Sequence, residues 1–280
     1  MIELIHRYDP NDSKPVQKPT TAEEAKDRLV EGSRRFMEFW NATQQDSCSG
    51  RDIIPFNPLA AGLVTDGPHV PEHTPFAAVL SCSDARVPTE LIFRQTFNEL
   101  FVVRLAGNVI ASEGVGSLAY ASNHLGSSVK LMVVLGHLGC GAIAAAVDTY
   151  LNPGNYPDST TVIGLRSVVD RILIVVRMAT QALEQQGITP ADDTYRPRLL
   201  HLSTVLNAAH TAMTLQTLLG KVITADQQVV YGVFDIGRRF VWGPDTADDS
   251  TESEPGLVPA PANHQGLLAL ATWLAQQEPA

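Results

Sequence analysis

Cysteine is scarce in this chain, with three residues among 280. An odd number cannot pair completely, and two of the three, Cys82 and Cys140, lie in short polar motifs with the spacing of metal ligands. The scarcity excludes a disulfide framework and indicates a reducing compartment, with Cys48 as the remaining thiol.

Basic residues are also few. Lys and Arg number 20 against 30 Asp and Glu, which gives a formal net charge of −10 at pH 7. Nucleic acids and anionic membranes attract clustered Lys and Arg, and this sequence has no such cluster. We therefore expect no nucleic-acid and no membrane partner, which leaves small molecules and proteins.

A long uninterrupted apolar run is missing as well. The opening residues 1–7 have no apolar run long enough for a signal peptide, and Arg171 and Arg177 interrupt the one long apolar stretch. We therefore expect a cytoplasmic protein. With 44% hydrophobic residues, the chain can bury a core of one main domain with appendages.

The N-terminal third is predicted to contain an arm, a helix and a loop. Residues 1–21 lack periodicity and contain three prolines, so they form the arm. A helix can begin at Thr20 or Thr21, and its apolar residues recur at helical spacing to about residue 41. Residues 42–75 carry Gly, Pro, Asn and Asp at close intervals, which is typical of a long surface loop.

Short β-branched runs then alternate with helical patterns in a domain that we place at 22–243. Strands are predicted at 76–82, 100–104, 130–136 and 228–234, with an edge strand at 239–242, and helices at 87–97, 113–125, 140–150, 162–186 and 199–219. This order predicts an α/β fold with a mostly parallel central sheet of four strands plus an antiparallel edge strand. The sheet is flanked by helices and preceded by an N-terminal helical arm.

The C-terminal segment has two parts. Residues 244–263 are acidic and contain proline, which is typical of a linker. Residues 264–280 are predicted to form an amphipathic helix with an apolar stripe of Leu267, Leu270, Ala271 and Leu274. Because leaving such a stripe in water is costly, we expect it to pack on folded protein, either its own chain or dimer or a protein partner.

Two motifs carry groups that are typical of a functional site. Residues 79–86 read Val-Leu-Ser-Cys-Ser-Asp-Ala-Arg, and residues 136–141 read Gly-His-Leu-Gly-Cys-Gly. Each motif lies at the end of a predicted buried strand, and open α/β sheets bind their ligands at the carboxyl ends of the strands. Cys82, His137 and Cys140 are therefore candidates for one metal site.

The residue types in these motifs favour zinc chemistry. Two thiolates and an imidazole suit Zn²⁺, and three protein ligands leave the open position of a catalytic site. Zinc lowers the pKa of bound water to about 7, so hydroxide is available to attack an electrophilic carbon. Asp84 can fill the fourth position and close the site, or it can pair with Arg86 and orient the hydroxide.

The two motifs resemble the signatures of a known family, the β-class carbonic anhydrases. The similarity runs from about residue 22 to residue 242, with weaker echoes at 32–36, 101–108 and 232–235. It implies zinc on Cys82, His137 and Cys140, and an activating dyad of Asp84 and Arg86. It also implies reversible hydration of carbon dioxide to bicarbonate, in a homodimer or larger homo-oligomer whose site lies near the subunit interface.

The residues themselves indicate groups that could contact the substrate or carry protons. The helix predicted to begin near residue 140, with the amides of Gly139 or Gly141, would lie near the developing anion. Proton release needs a group that titrates near neutrality, and His69, His73 and His124 are candidates.

Two positions depart from the family pattern. The family usually has Gln where this chain has His73, and that Gln positions the substrate across the dimer. We therefore expect His73 to take this substrate-binding place with an imidazole; the alternative is that His73 is a solvated loop residue and another group fills the role of the Gln. Members that bind bicarbonate at a second site carry Trp where this chain has Val79, so we do not expect that regulation, although Arg104 matches another of its residues.

Two other functions stay open at this point. A carbonyl sulfide or carbon disulfide hydrolase can use the same fold and ligands. A zinc-stabilised scaffold or assembly protein would account for the acidic linker and the Leu-rich C-terminal helix. The presence of both Asp84 and Arg86 counts against the scaffold, because a purely structural site has no use for the pair.

Overall fold

The computed structural model describes residues 1–8, 17–45, 49–59, 61–64, 67, 70–156, 162–244 and 255–277. Its strands are β1 (Ile2–Arg7), β2 (Gly50–Pro55), β3 (Ala77–Ser81), β4 (Leu100–Arg104), β5 (Leu131–His137), β6 (Gln228–Asp235), β7 (Phe240–Trp242) and β8 (Val258–Pro259). Its α-helices are α1 (Ala22–Gln45), α2 (Thr89–Ile92), α3 (Ser112–His124), α4 (Gly141–Leu151), α5 (Ile163–Gln185), α6 (Tyr195–Leu219) and α7 (His264–Gln276). None of these helices is both long and apolar enough to cross a membrane.

The central sheet has the strand order β4-β3-β5-β6-β7, with β8 also paired to β6. The first four strands in this order are parallel, whereas β7 and β8 run antiparallel to β6. The predicted α/β class and the mostly parallel sheet are confirmed, and β8 adds one short strand that the sequence did not indicate.

Both faces of the sheet are buried, which explains the continuous apolar runs of its strands. In β5, Leu131, Val133 and Leu135 belong to the cluster that includes apolar residues of α1, such as Leu29. The intervening residues of β5 belong to the larger cluster on the other face, formed with α3 to α7. The sheet is therefore a rigid layer between helices.

The N terminus of α1 has the predicted capping residues. The Thr21 hydroxyl accepts a hydrogen bond from the Glu24 amide at 3.2 Å, and the Glu24 carboxylate accepts one from the Thr21 amide at 3.3 Å. Such reciprocal contacts satisfy N–H groups that a helix leaves free at its start.

The predicted loop at 42–75 is wrong for residues 50–55. These residues form β2, which pairs in parallel with β1 in a separate two-stranded sheet, with Ile2 opposite Gly50. The apolar run of β2 is short, and its partner strand β1 lies in the segment that the sequence predicts to be an aperiodic arm. Neither strand was therefore evident from its own pattern.

The predicted crossover helix at 87–97 is shorter than expected. It ends after one turn at Ile92, and Arg94, two residues later, adopts a left-handed backbone conformation with φ of 51° that does not continue the helix. The Arg94 Nε atom donates to Asp52 of β2 at 2.8 Å, so this turn also ties the small sheet to the domain.

The apolar stripe of the C-terminal helix is buried against its own chain. Helix α7 packs on α5 and α6, and Leu267, Leu270, Ala271 and Leu274 are at most 4% exposed. The expected burial of the stripe is therefore confirmed, with the same chain providing the cover. Within the predicted linker, residues 245–254 lie outside the described part of the chain, whereas Val258–Pro259 forms β8.

Candidate metal centre

The three predicted donors come from neighbouring elements at the carboxyl edge of the sheet. Cys82 follows β3 directly, His137 is the last residue of β5, and Cys140 precedes the first residue of α4. Because β3 and β5 are adjacent, the sulfur atoms and the imidazole all lie within 4.8 Å of one another. All three residues are buried. Together their side chains form a group of donors that can bind a metal ion.

One ring nitrogen of His137 forms a hydrogen bond, and the other is available to bind a metal ion. Nδ1 lies 3.0 Å from the Leu138 carbonyl oxygen, to which it donates a hydrogen bond. Nε2 is buried and has no hydrogen-bond partner among the described residues. A backbone carbonyl at Nδ1 is the usual support of a histidine that binds metal through its other nitrogen.

The two thiols are coupled. The pKa of Cys82 is lowered chiefly because Cys140 donates a hydrogen bond to its sulfur, and the Gly107 amide donates another at 3.3 Å. The same interaction with Cys82, together with burial, raises the pKa of Cys140. A metal ion would replace the proton held between the two sulfurs. Two thiolates and a free imidazole nitrogen form a donor set that fits zinc.

Asp84 is paired with Arg86. Asp84 Oδ1 accepts from Arg86 Nε at 3.0 Å and from the Arg86 amide at 2.9 Å, while Oδ2 accepts from Nη2 at 2.7 Å. These contacts hold the pKa of Asp84 well below its usual range, against the opposing effect of burial. The carboxylate is therefore ionised beside the donor cluster, with Oδ2 at 3.8 Å from His137 Nε2. The structure therefore contains the Asp84–Arg86 ion pair, which the sequence offers as one of two alternatives.

The two predicted glycines lie on either side of Cys140 and are exposed. Gly139 has φ of 70°, a conformation that favours glycine, and its carbonyl accepts from Arg86 Nη2 at 3.1 Å. Gly141 is the first residue of α4. The contact with Gly139 links Arg86 to both motifs.

Three further residues support the site and were not assigned to it from the sequence. Gly107 donates its amide to the Cys82 sulfur, and its carbonyl accepts from Asn207 Nδ2 at 2.7 Å. Arg104 donates from Nε to the Cys82 carbonyl at 3.0 Å and from Nη2 to the Asp84 carbonyl. The tight turn at 106–108 was visible in the sequence, but its approach to the sulfur depends on the tertiary fold.

The structure does not bring His73 to this cluster within the described part of one chain. His73 is exposed, and its ring stacks on Phe101 with ring centroids 5.9 Å apart. Phe101 lies three residues before Arg104 on β4, and Arg104 pairs with Ser81, the residue before Cys82. Phe101 is therefore about 10 Å along the strand from the sheet edge that carries Cys82.

The other two proton-transfer candidates also differ in their placement. His124 stacks on Tyr120 at the end of α3, with ring centroids 4.8 Å apart. His69 lies outside the described residues, as does Cys48.

Comparisons with known proteins identify a family. A family model described as carbonic anhydrase matches residues 77–238, more than half of the chain. A Mycobacterium tuberculosis protein named carbonic anhydrase 2 is 34% identical over 146 residues, which cover 52% of this chain and 65% of the relative. A Mycolicibacterium smegmatis carbonic anhydrase is 38% identical over 119 residues, covering 42% and 52% of the two chains. This chain thus spans less than two thirds of either relative.

Among solved structures, tetrameric β-carbonic anhydrases from the ascomycete Sordaria macrospora are similar with a TM-score of 0.46 and 22% identity, over 75% of this chain and 92% of theirs. The matched residues 77–238 contain both motifs, all three metal donors and the Asp84–Arg86 pair. The chain belongs to the carbonic anhydrase family whose model matches residues 77–238.

Proposed function

We propose that this protein is a zinc-dependent carbonic anhydrase that interconverts carbon dioxide and bicarbonate. The observation that carries the proposal is a buried cluster of two thiols and one imidazole directly beside an ionised carboxylate that is held by an arginine. Cys82, His137 and Cys140 would hold the zinc ion. When bound there, zinc supplies Lewis-acid activation of water at neutral pH.

Asp84 and Arg86 are proposed to orient the attacking water. The Asp84 carboxylate only accepts hydrogen bonds while it is ionised, so it can fix the direction of a water O–H near the metal centre. Arg86 holds both carboxylate oxygens and the Gly139 carbonyl, so the carboxylate cannot turn freely. A purely structural zinc site gains nothing from such a pair, which supports an enzyme over a scaffold.

Substrate binding is proposed to involve the amides of Gly139 or Gly141 and, across a subunit interface, His73. Strand β4 is the edge strand of the central sheet, and His73 stacks on its Phe101 in an exposed position. A homodimer or larger homo-oligomer formed along this edge would bring His73 of one protomer towards the metal centre of its partner. The imidazole offers one donor and one acceptor to a substrate oxygen.

The proposal is tested by measuring carbon dioxide hydration by stopped flow on the zinc-loaded full chain, beside carbonyl sulfide hydrolysis on the same preparation. We expect hydration well above the buffer rate, and its loss in Asp84→Asn, which keeps the side-chain size but removes the charge. A zinc-loaded protein that hydrates no carbon dioxide would contradict the proposal. Carbonyl sulfide turnover in that preparation would instead identify the hydrolase.

A further inference from the structure

Lys18 lies in the short described segment before α1 and reaches a distant part of the chain. Its Nζ donates to the Thr74 carbonyl at 2.6 Å, to the Thr74 hydroxyl at 2.6 Å and to the Asn98 carbonyl at 3.2 Å. These contacts use all three donors of the ammonium group. Burial lowers the pKa of Lys18, an effect that the nearby Glu99 carboxylate opposes.

Asn98 holds the same segment from the other side. Its Oδ1 accepts from the Thr74 amide at 3.1 Å, and its Nδ2 donates to the Glu72 carbonyl at 2.7 Å. The left-handed φ of 64° at Asn98, which asparagine tolerates better than most residues, turns the side chain into this position.

The residue between these contacts is His73. The chain is fixed at Glu72 on one side and at Thr74 on the other, and the His73 ring lies on Phe101. The Lys18 attachment is itself part of a larger network, since Glu99 forms an ion pair with Arg28 of α1. A side chain on a backbone held from both sides loses little further freedom when it binds a ligand.

We propose that Lys18 is a positioning residue for His73, fixing the backbone that presents this imidazole on the exposed edge of β4. This inference rests on the proposed function, in which His73 contacts the substrate across a subunit interface. Residue 18 lies outside the segment 77–238 that matches the family. The contacts that position His73 therefore come from the N-terminal segment of this chain.

The first test observes His73 directly in the zinc-loaded full chain with histidine-selective isotope labelling. The His73 imidazole resonance is assigned by its absence in His73→Gln, and its stacking on Phe101 gives it a ring-current shift. We expect Lys18→Met to move this resonance towards the position of an unstacked histidine. Lys26→Met is the matched control, because the Lys26 ammonium group pairs with Glu23 of the same helix α1.

Thr74→Val gives a second variant that leaves Lys18 intact. Valine has nearly the shape of threonine but lacks the hydroxyl that accepts from Nζ, so the His73 resonance should move in the same direction by a smaller amount. If Lys18→Met does not fold, Thr74→Val decides the question. An unchanged His73 resonance in the folded variants would overturn the proposal.

The second test is kinetic and separates positioning from general stability. We expect Lys18→Met to raise the KM for carbon dioxide by about five- to tenfold, the effect of one weakened substrate hydrogen bond, with little change in kcat. His73→Ala should have a similar effect, and the double variant should show no further loss, because Lys18 acts through His73. Multiplied losses in the double variant would overturn the proposal.

The two tests also separate this inference from the proposed function. If His73→Ala leaves hydration unchanged, or if the wild-type chain hydrates no carbon dioxide, the substrate role of His73 fails. The resonance of His73 in Lys18→Met still decides whether Lys18 positions the imidazole.

Discussion

Two adjacent leucines on α7 offer a sharp test of how this helix is bound to the domain. Leu267 is 0% exposed, whereas Leu268 is 42% exposed. Replacing each with alanine removes the same atoms from the same helix, and the small gain in helix propensity is the same for both. The difference between the two variants therefore reports the packing of the apolar stripe alone.

The magnitude follows from burial. Transfer of a fully buried leucine side chain out of water contributes about 1.5–3 kcal/mol, and the cavity left by Leu→Ala raises the measured cost to about 2–5 kcal/mol. We expect Leu267→Ala to lower the free energy of unfolding by about 3 kcal/mol and Leu268→Ala by about 0.5 kcal/mol or less. For a domain of this size, the first change corresponds to a fall in Tm of roughly 6–12 °C.

The assay is denaturant unfolding of the zinc-loaded protein, followed by far-UV circular dichroism and by tryptophan fluorescence. Equal m-values for the two variants would show that their midpoints can be compared directly. If Leu267→Ala lost no more stability than Leu268→Ala, the stripe would contribute nothing to the cooperative unit. That result would contradict the assignment of α7 to the core of its own chain.

Three further predictions concern the metal centre and the acid limit of stability. Cys140→Ala should reduce the zinc content measured by elemental analysis from about one ion per chain to near zero, because two donors do not hold zinc firmly. Arg86→Ala should retain zinc and lose about 100-fold or more in hydration, since the carboxylate is no longer oriented. Asp226 has a pKa lowered to about 2, chiefly by Lys130, so its ionised form stabilises the fold above its ordinary pKa of 3.8 and loses that contribution as the pH falls towards 2. Asp226→Asn should therefore show a smaller loss of stability than wild type between about pH 4 and pH 2 in urea titrations.

The parts of the fold that could be predicted are those in which one local pattern determines the outcome. Strands β3 and β5 are buried on both faces, so their apolar runs appear directly in the sequence. Adjacent parallel strands then place the residues at their ends together, which is why Cys82 and His137 could be paired from sequence. The number of residues between Cys82 and His137 indicates only that a crossover connection joins the two strands.

The features that the sequence did not determine depend on backbone and side-chain conformations that the residue types alone do not fix. Helix α2 ends just before the left-handed backbone at Arg94, whose side chain is held by Asp52 of the distant strand β2. The pairing of Asp84 with Arg86 depends likewise on a side-chain orientation, which is fixed by the Gly139 carbonyl on the neighbouring loop. The sequence offers the Asp84–Arg86 pair as one alternative, and the side chains form this pair in the structure.

The segments outside the family match are joined to the matched domain through polar contacts as well as apolar ones. Arg198, within the match, donates from Nη2 to the carbonyls of Ala275 and Gln277, which satisfies backbone groups at the end of α7. Lys18 makes the corresponding link at the other end by binding the carbonyls of Thr74 and Asn98. The Arg198 link ends on backbone carbonyls, and the Lys18 link ends on two backbone carbonyls and the Thr74 hydroxyl, so substitution of the contacted side chains weakens the second link without removing either. A change at the donating Lys18 or Arg198 removes the link directly, which makes these two residues the places to test whether the flanking segments act on the site or only on stability.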